Sequence, residues 1–236
     1  MTVHARFMER RNRFVVRARL DDGTAVDAYL PNTSRMAGLL EPGRRILLDP
    51  TDDPARRTRF SVTRWWDDCW IGIHATEAER LFADHVTPEG TVPGLGRIVG
   101  LRPQVRLGSS VVDFSADLSD GTTAWVEVKS GSRAIGSDAP LSKTPSVRAV
   151  RHLDELGAAV VNGDRAAVVF VIQRPDVDRL VVGGDADAGW VDAVRRAQHT
   201  GVVVAAFGCA VDEDSIRIDR SLEVEFLEDA AHGSGE

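Results

Sequence analysis

"VVDFSADLSDGTTAWVEVKSG", residues 111–131, places Asp113, Glu127 and Lys129 where half-buried strands usually carry apolar or neutral side chains. The two arms flank Ser119-Asp120-Gly121, and a three-residue loop of this composition puts Gly121 in the left-handed conformation that such hairpins favour. Leu118 then faces Thr122, and counting outward sets Asp113 opposite Glu127. Opposed residues share one side of the sheet, with Cβ atoms about 5 Å apart. Alternation adds Ser115, Trp125 and Lys129 to that side and leaves Val112, Phe114, Leu118, Val126 and Val128 on the other, where a helix can pack. A two-residue loop would shift the pairing by one and undo the grouping.

Two facing carboxylates repel unless a cation lies between them. A hard cation, Mg²⁺ or Mn²⁺, suits this geometry, because it accepts one or two carboxylates and fills its shell with waters and substrate oxygens. Asp113 and Glu127 are the candidate ligands, and the backbone carbonyl of Val128 is a third. Of 29 basic residues only Lys129 and Lys143 are lysine, so a lysine beside two carboxylates stands out in a chain that otherwise uses arginine. Its compact ammonium can orient an attacking water or meet charge on phosphorus, which a broad guanidinium does less well. Asp113, Glu127 and Lys129 thus form a candidate catalytic set for phosphodiester hydrolysis. The plainer alternative is a hairpin whose polar face meets solvent, with Glu127 and Lys129 as a surface pair.

Outward from the hairpin, the pattern implies an α/β domain. "TEAERLFADHV" has Leu81, Phe82 and Val86 at helical spacing, and Thr76 with Glu79 resembles a capping box. "RIVGLRPQVRLG" leads into the hairpin. "SVRAVRHLDELGAAVVNG" reads as a helix capped by Ser146 and closed near Gly163. "RAAVVFVIQ" and "VVVAAFGC" read as strands buried on both faces, with the amphipathic "DAGWVDAVRRAQHTG" between them. Strands alternating with helices make a mixed sheet covered by helices.

Before residue 75 the texture is different. "RFVVRARL", "TAVDAYL", "RRILL", "RTRFSVTRWW" and "CWIGIH" read as five short strands, with a short helical piece in "PNTSRMAGLLEPG" after the second. That is the pattern of a small antiparallel barrel of the OB type. The expected organisation is a barrel domain over 1–75, an α/β domain over 76–228 and a tail over 229–236.

The formal net charge is −7, yet the first twenty residues hold six arginines against one glutamate. A local basic face on an acidic protein still attracts phosphate, since distant charges are screened beyond roughly 8 Å. Arg13, Arg17 and Arg19 are therefore candidate nucleic-acid contacts, and an arginine-rich solvated strand is the alternative. Trp65, Trp66 and Trp70 either stack bases or pack the barrel end. Cys69 and Cys209 have no partner motif and read as reduced thiols, consistent with a cytoplasmic protein. No stretch approaches the roughly 20 apolar residues of a membrane span.

The quoted motifs resemble the sugar fermentation stimulation protein A family over most of the chain. The carriers are "ARFMERRNRFVVRARLDDGTAVDAYLPNTSRM" with its P-N-T loop, the "VDF…VEVKS" hairpin, "VFVIQRPDV" and "GVVVAAFGCAV". The resemblance implies an OB-like N-terminal domain, a C-terminal domain of the PD-(D/E)XK nuclease fold, DNA binding and a nuclease role. By position Asp113, Glu127 and Lys129 take the motif's Asp, Glu and Lys. Gln173 and Arg174 match the Gln-Arg after the next strand, Gln173 joining the catalytic candidates or serving as a core amide, and Arg174 facing a phosphate. Arg148 and His152 match an Arg-Gly-x-x-His stretch in which alanine replaces glycine, and they are further candidate nucleic-acid contacts, with Asn32 and Arg35 of the P-N-T loop. "GSRAIGSDAPLSKT" and "HATEAERL" depart from the family pattern, Asp84 standing in for the acidic residue of the first helix. Two functions follow: a DNA-binding protein, RNA being a second possible partner, that hydrolyses phosphodiesters with Mg²⁺ or Mn²⁺, or a non-catalytic DNA-binding regulator of sugar-metabolism genes.

Overall fold

The computed structural model describes residues 2–32, 36, 38–53, 55–87, 90–141 and 147–228. Six strands come first: β1 (Val3–Asn12), β2 (Val15–Leu20), β3 (Ala25–Tyr29), β4 (Arg45–Pro50), β5 (Phe60–Asp67) and β6 (Cys69–Gly72). They run in the order β3-β2-β1-β4-β5-β6, and a parallel contact of Ala28 and Tyr29 with Phe60 and Ser61 closes β1–β5 into a barrel. Ala5, Phe7, Val16, Ala18, Ile46, Leu48, Val62 and Trp65 fill it, while the alternate residues Arg6, Arg17 and Arg19 face outward. Two sequence expectations need correction here. The chain's first strand is β1, ahead of "RFVVRARL", and Arg13 sits in the turn that joins β1 to β2. The charged "ERRN" end of β1 hid a strand that buries only one face. The helical piece expected after Pro31 falls largely on residues 33–35 and 37, outside the described residues, and Gly38-Leu39 form a turn.

The second unit contains α1 (Glu77–Val86), β7 (Thr91–Val92), β8 (Gly96–Leu107), β9 (Ser110–Leu118), β10 (Thr123–Gly131), β11 (Asp138–Pro140), α2 (Val147–Val161), β12 (Arg165–Ile172), β13 (Arg179–Val182), α3 (Ala188–Thr200), β14 (Val203–Val211) and β15 (Ile216–Phe226). Its nine-stranded mixed sheet runs β11-β13-β15-β14-β12-β10-β9-β8-β7. β10, β12 and β14 are parallel, whereas β8, β9 and β10 form an antiparallel meander. One face packs Leu81 and Phe82 of α1 on Phe114, Val126, Val169 and Val171. The other packs Leu153, Leu156, Trp190 and Val194 of α2 and α3 on Val168, Phe170 and Ile172. β12 is thus buried on both sides, as its uninterrupted apolar run requires.

Local differences from expectation have local causes. Thr76 is not a capping residue: its backbone is helical (φ −79°, ψ −10°) and its hydroxyl meets His74 Nδ1 at 3.1 Å, whereas a capping residue needs extended backbone. Ser146, the expected cap of α2, lies outside the described residues. β15, absent from the expected strands, alternates buried Ile216 and Ile218 with exposed Arg217 and Asp219.

The two units meet through specific bonds. Gly72 N–H donates to the Gln173 carbonyl at 2.8 Å, and the Gln173 amide nitrogen donates to the His74 carbonyl at 2.9 Å. Arg174 reaches Asp67 at 3.2 Å. Glu213, in the turn after β14, accepts from Trp70 Nε1 at 3.2 Å and pairs with His4 at 3.0 Å.

Candidate metal centre

The β9–β10 hairpin has the register that the Ser-Asp-Gly loop dictates. Leu118 N–H donates to the Thr122 carbonyl at 2.8 Å, Gly121 has φ +86°, and pairing runs from Asp117↔Thr123 to Phe114↔Val126. One step further, where Asp113 should face Glu127, the ladder stops. Val128 N–H donates instead to Asp113 Oδ2 at 2.7 Å. β9 turns away there, which also carries Val112 into the α2–α3 layer rather than beside Phe114. A residue's N–H and C=O point to the same side of a strand. The Val128 carbonyl therefore also faces the opened side of β10.

Glu127 is 2% exposed and Asp113 is 7% exposed. Glu127 Oε1 accepts from two donors, Lys129 Nζ and His152 Nδ1, the latter at 2.7 Å. Glu127 Oε2 is buried and has no partner among the described residues. Burial, then the neighbouring Glu127 charge, pushes the Asp113 carboxyl up to about 7, with the Val128 N–H acting in the opposite direction. Glu79 of α1, half-buried, adds a smaller push and receives Gln104 Nε2 at 3.3 Å.

These features fit a hard divalent cation. A buried acceptor without a partner costs about 1–3 kcal/mol, and two close carboxylates disfavour each other's charge. A cation would relieve both. Among the described residues no group of three or more His, Cys, Asp and Glu could enclose a metal, so the protein offers two carboxylates and one carbonyl. Mg²⁺, which keeps several waters, suits so open a donor set.

Residues 8–73 match the domain described as the SfsA N-terminal OB domain, and residues 76–215 match the Sugar fermentation stimulation protein RE domain. The chain belongs to the sugar fermentation stimulation protein family. Homologues of the sugar fermentation stimulation protein from Chelativorans sp. (strain BNC1) and Methylobacterium nodulans are 35% and 36% identical to it, each over 228 residues. The match covers 94% of this chain and 96% of the first homologue, and 93% and 94% for the second. A solved structure of Pyrococcus furiosus SfsA in complex with Ca²⁺ superposes with TM-score 0.79 at 26% identity, covering 95% of this chain and 96% of that one.

In this family member the other candidate residues fall into three places. His152, 1% exposed, joins Glu127, and Arg148 Nε donates to His152 Nε2 at 3.2 Å. Gln173 and Arg174 lie at the domain junction. Gln173 is fully buried, its amide nitrogen also bonding Ser130 Oγ at 2.8 Å, and its Oε1 has no partner among the described residues. Arg174, expected to face a phosphate, is 4% exposed and turned inward, bound to both oxygens of Asp176, to Asp67 and to the Ser132 carbonyl.

The third place is the barrel. Arg17 pairs with Asp27 at 3.1 Å, Arg19 reaches the Gly23 carbonyl, and Arg13 lies over the Phe14 ring at 5.6 Å. Asn32 ties its loop to the Ile73 carbonyl at 2.9 Å. Arg35 is outside the described residues. Trp65 fills the barrel core, and Trp70 is nearly buried. Trp66 is half-exposed beneath the Arg45 guanidinium at 4.4 Å. Asp84 faces outward and pairs with Arg80 at 2.6 Å, whereas Glu79 is the α1 residue whose charge acts on Asp113. The hint in sequence was Glu79's place between Ala78 and Leu81, both on the buried face. A cleft of about 830 Å³ between barrel and α1, lined by Arg56, Arg64, His74, Glu77 and Asp214, includes neither carboxylate. Asp113, whose carboxyl is pushed up to about 7, lies instead on the opened hairpin.

Proposed function

We propose that this protein binds DNA and hydrolyses phosphodiester bonds with a divalent cation held by Asp113, Glu127 and the Val128 carbonyl. The observation that carries the reading is the buried Glu127 Oε2, without a partner among the described residues, beside a carboxyl whose proton affinity is raised. The Ca²⁺ bound by the Pyrococcus furiosus relative supports a hard cation in this family, and Mg²⁺ or Mn²⁺ would be the working ion. When bound, such an ion polarises a phosphate oxygen and acidifies a coordinated water. Lys129, now resting on Glu127 Oε1, is free to swing its ammonium onto the attacking water or the phosphate. Asp113 stays anchored by the Val128 N–H. Arg148 meets a flanking phosphate, and Arg17 and Arg19 hold the strand on the barrel. The free thiols Cys69 and Cys209 support a cytoplasmic setting.

The test is cleavage of single- and double-stranded DNA and RNA panels in Mg²⁺ or Mn²⁺. Asp113→Ala should abolish product while keeping the wild-type circular dichroism spectrum, and Lys129→Ala should slow cleavage by about 10²–10⁴-fold. Undiminished cleavage by Asp113→Ala would sink the mechanism. Wild type that binds metal and DNA but yields no product would be a binding protein. The barrel's part is read from salt: replacing Arg17 and Arg19 by alanine should lower the slope of log affinity against log salt by about 2.

A further inference from the structure

His152 was expected at the nucleic acid, yet at 1% exposure its ring cannot touch a phosphate without being uncovered. Both ring nitrogens are also engaged. Arg148 can only donate, so His152 Nε2 accepts from it, and the proton lies on Nδ1, which donates to Glu127 Oε1 at 2.7 Å. The terminal torsion of a glutamate is soft. Two donors on one oxygen, Nδ1–H and the Lys129 ammonium, remove that freedom and leave Oε2 as the acceptor still to be satisfied. If Lys129 leaves Oε1 during the reaction, His152 is the donor that remains.

We propose that His152 is a positioning residue for the cation site. Its Nδ1–H locks Glu127 so that Oε2 is presented to the metal, and Arg148 sets the tautomer that makes this possible. This rests on Asp113 and Glu127 being the ligands. Partners that orient a ligand in this way typically contribute 10–100-fold in metal affinity. Arg148, exposed, has no other partner for its terminal nitrogens among the described residues, so the same side chain can serve a phosphate and the tautomer together.

The substitutions that separate this from simple packing are His152→Asn and His152→Gln. The asparagine amide nitrogen falls near the position of Nδ1, and the glutamine amide nitrogen near that of Nε2. Mn²⁺ affinity is measured by titration calorimetry on full-length protein, after each variant is shown to melt cooperatively, with Asp113→Ala as the non-binding control. His152→Asn should bind within a few-fold of wild type, and His152→Gln and His152→Ala should lose 10–100-fold. Equal affinity in wild type and all three variants overturns the proposal, as does an asparagine variant no better than alanine. Wild type that binds no Mn²⁺ overturns both this inference and the nuclease reading. Wild type that binds Mn²⁺ but does not cleave overturns the nuclease reading alone.

Discussion

Asp113 holds its proton to about pH 7 in the folded chain, against an ordinary value of 3.8. A carboxyl whose affinity for protons rises on folding stabilises most below its unfolded value, and that contribution is lost as pH rises through its folded one. The metal-free protein should therefore weaken between about pH 4 and pH 7 through this group. Asp113→Asn keeps an acceptor for the Val128 N–H and removes the charge. In chelator at pH 8 it should melt on the order of 5 °C above wild type, and the gap should close toward pH 4. A wild type that melts as high as the variant at pH 8 would show that the pair carries no charge strain. Metal binding has the opposite sense, because the cation must displace the proton. Mn²⁺ affinity of wild type should rise about tenfold per pH unit up to roughly pH 7 and then level off.

At the scale of elements, the hairpin was legible because a turn glycine fixes the count, and the count fixes which side chains meet. What could not be read was where the ladder ends. Counting assumes that pairing continues, whereas β9 leaves β10 after Phe114, and that departure opens Val128 toward Asp113. Gln173 and Arg174 were ambiguous for a related reason: an amide or guanidinium at a strand end can serve a phosphate or another domain, and sequence does not say which is near. The junction now makes its own prediction. A Cβ added at Gly72 would lie 2.4 Å from Gln173 Oε1 and 2.6 Å from Ile216 Cδ1. Gly72→Ala should destabilise the fold by about 1–3 kcal/mol, as other overpacked sites do, measured by urea unfolding. Cleavage should fall with it, since Gln173 also holds Ser130, the neighbour of Lys129. A variant as stable as wild type would mean that the junction yields easily.

For the whole molecule, the question is whether barrel and sheet unfold as one. Arg174 ties Asp67 of the barrel to Asp176 and Ser132 of the sheet domain, and Asp67 also holds Arg44 at 2.9 Å. Removing one member of a buried ionic network typically costs about 3–5 kcal/mol. Arg174→Met should split or broaden the calorimetric transition into two, the barrel melting apart from the sheet. One sharp transition at an unchanged temperature would show that the remaining contacts couple the halves.

The bond from Gly72 N–H to Gln173 has a consequence for engineering. Gln173 also grips the end of the strand that carries Lys129, so the barrel is part of the foundation of the proposed site. A sheet domain grafted onto a foreign barrel would keep the Gln173–Ser130 bond but lose the Gly72 and His74 ties that hold Gln173 from the barrel side. A replacement barrel must supply a donor for the Gln173 carbonyl and an acceptor for its amide nitrogen.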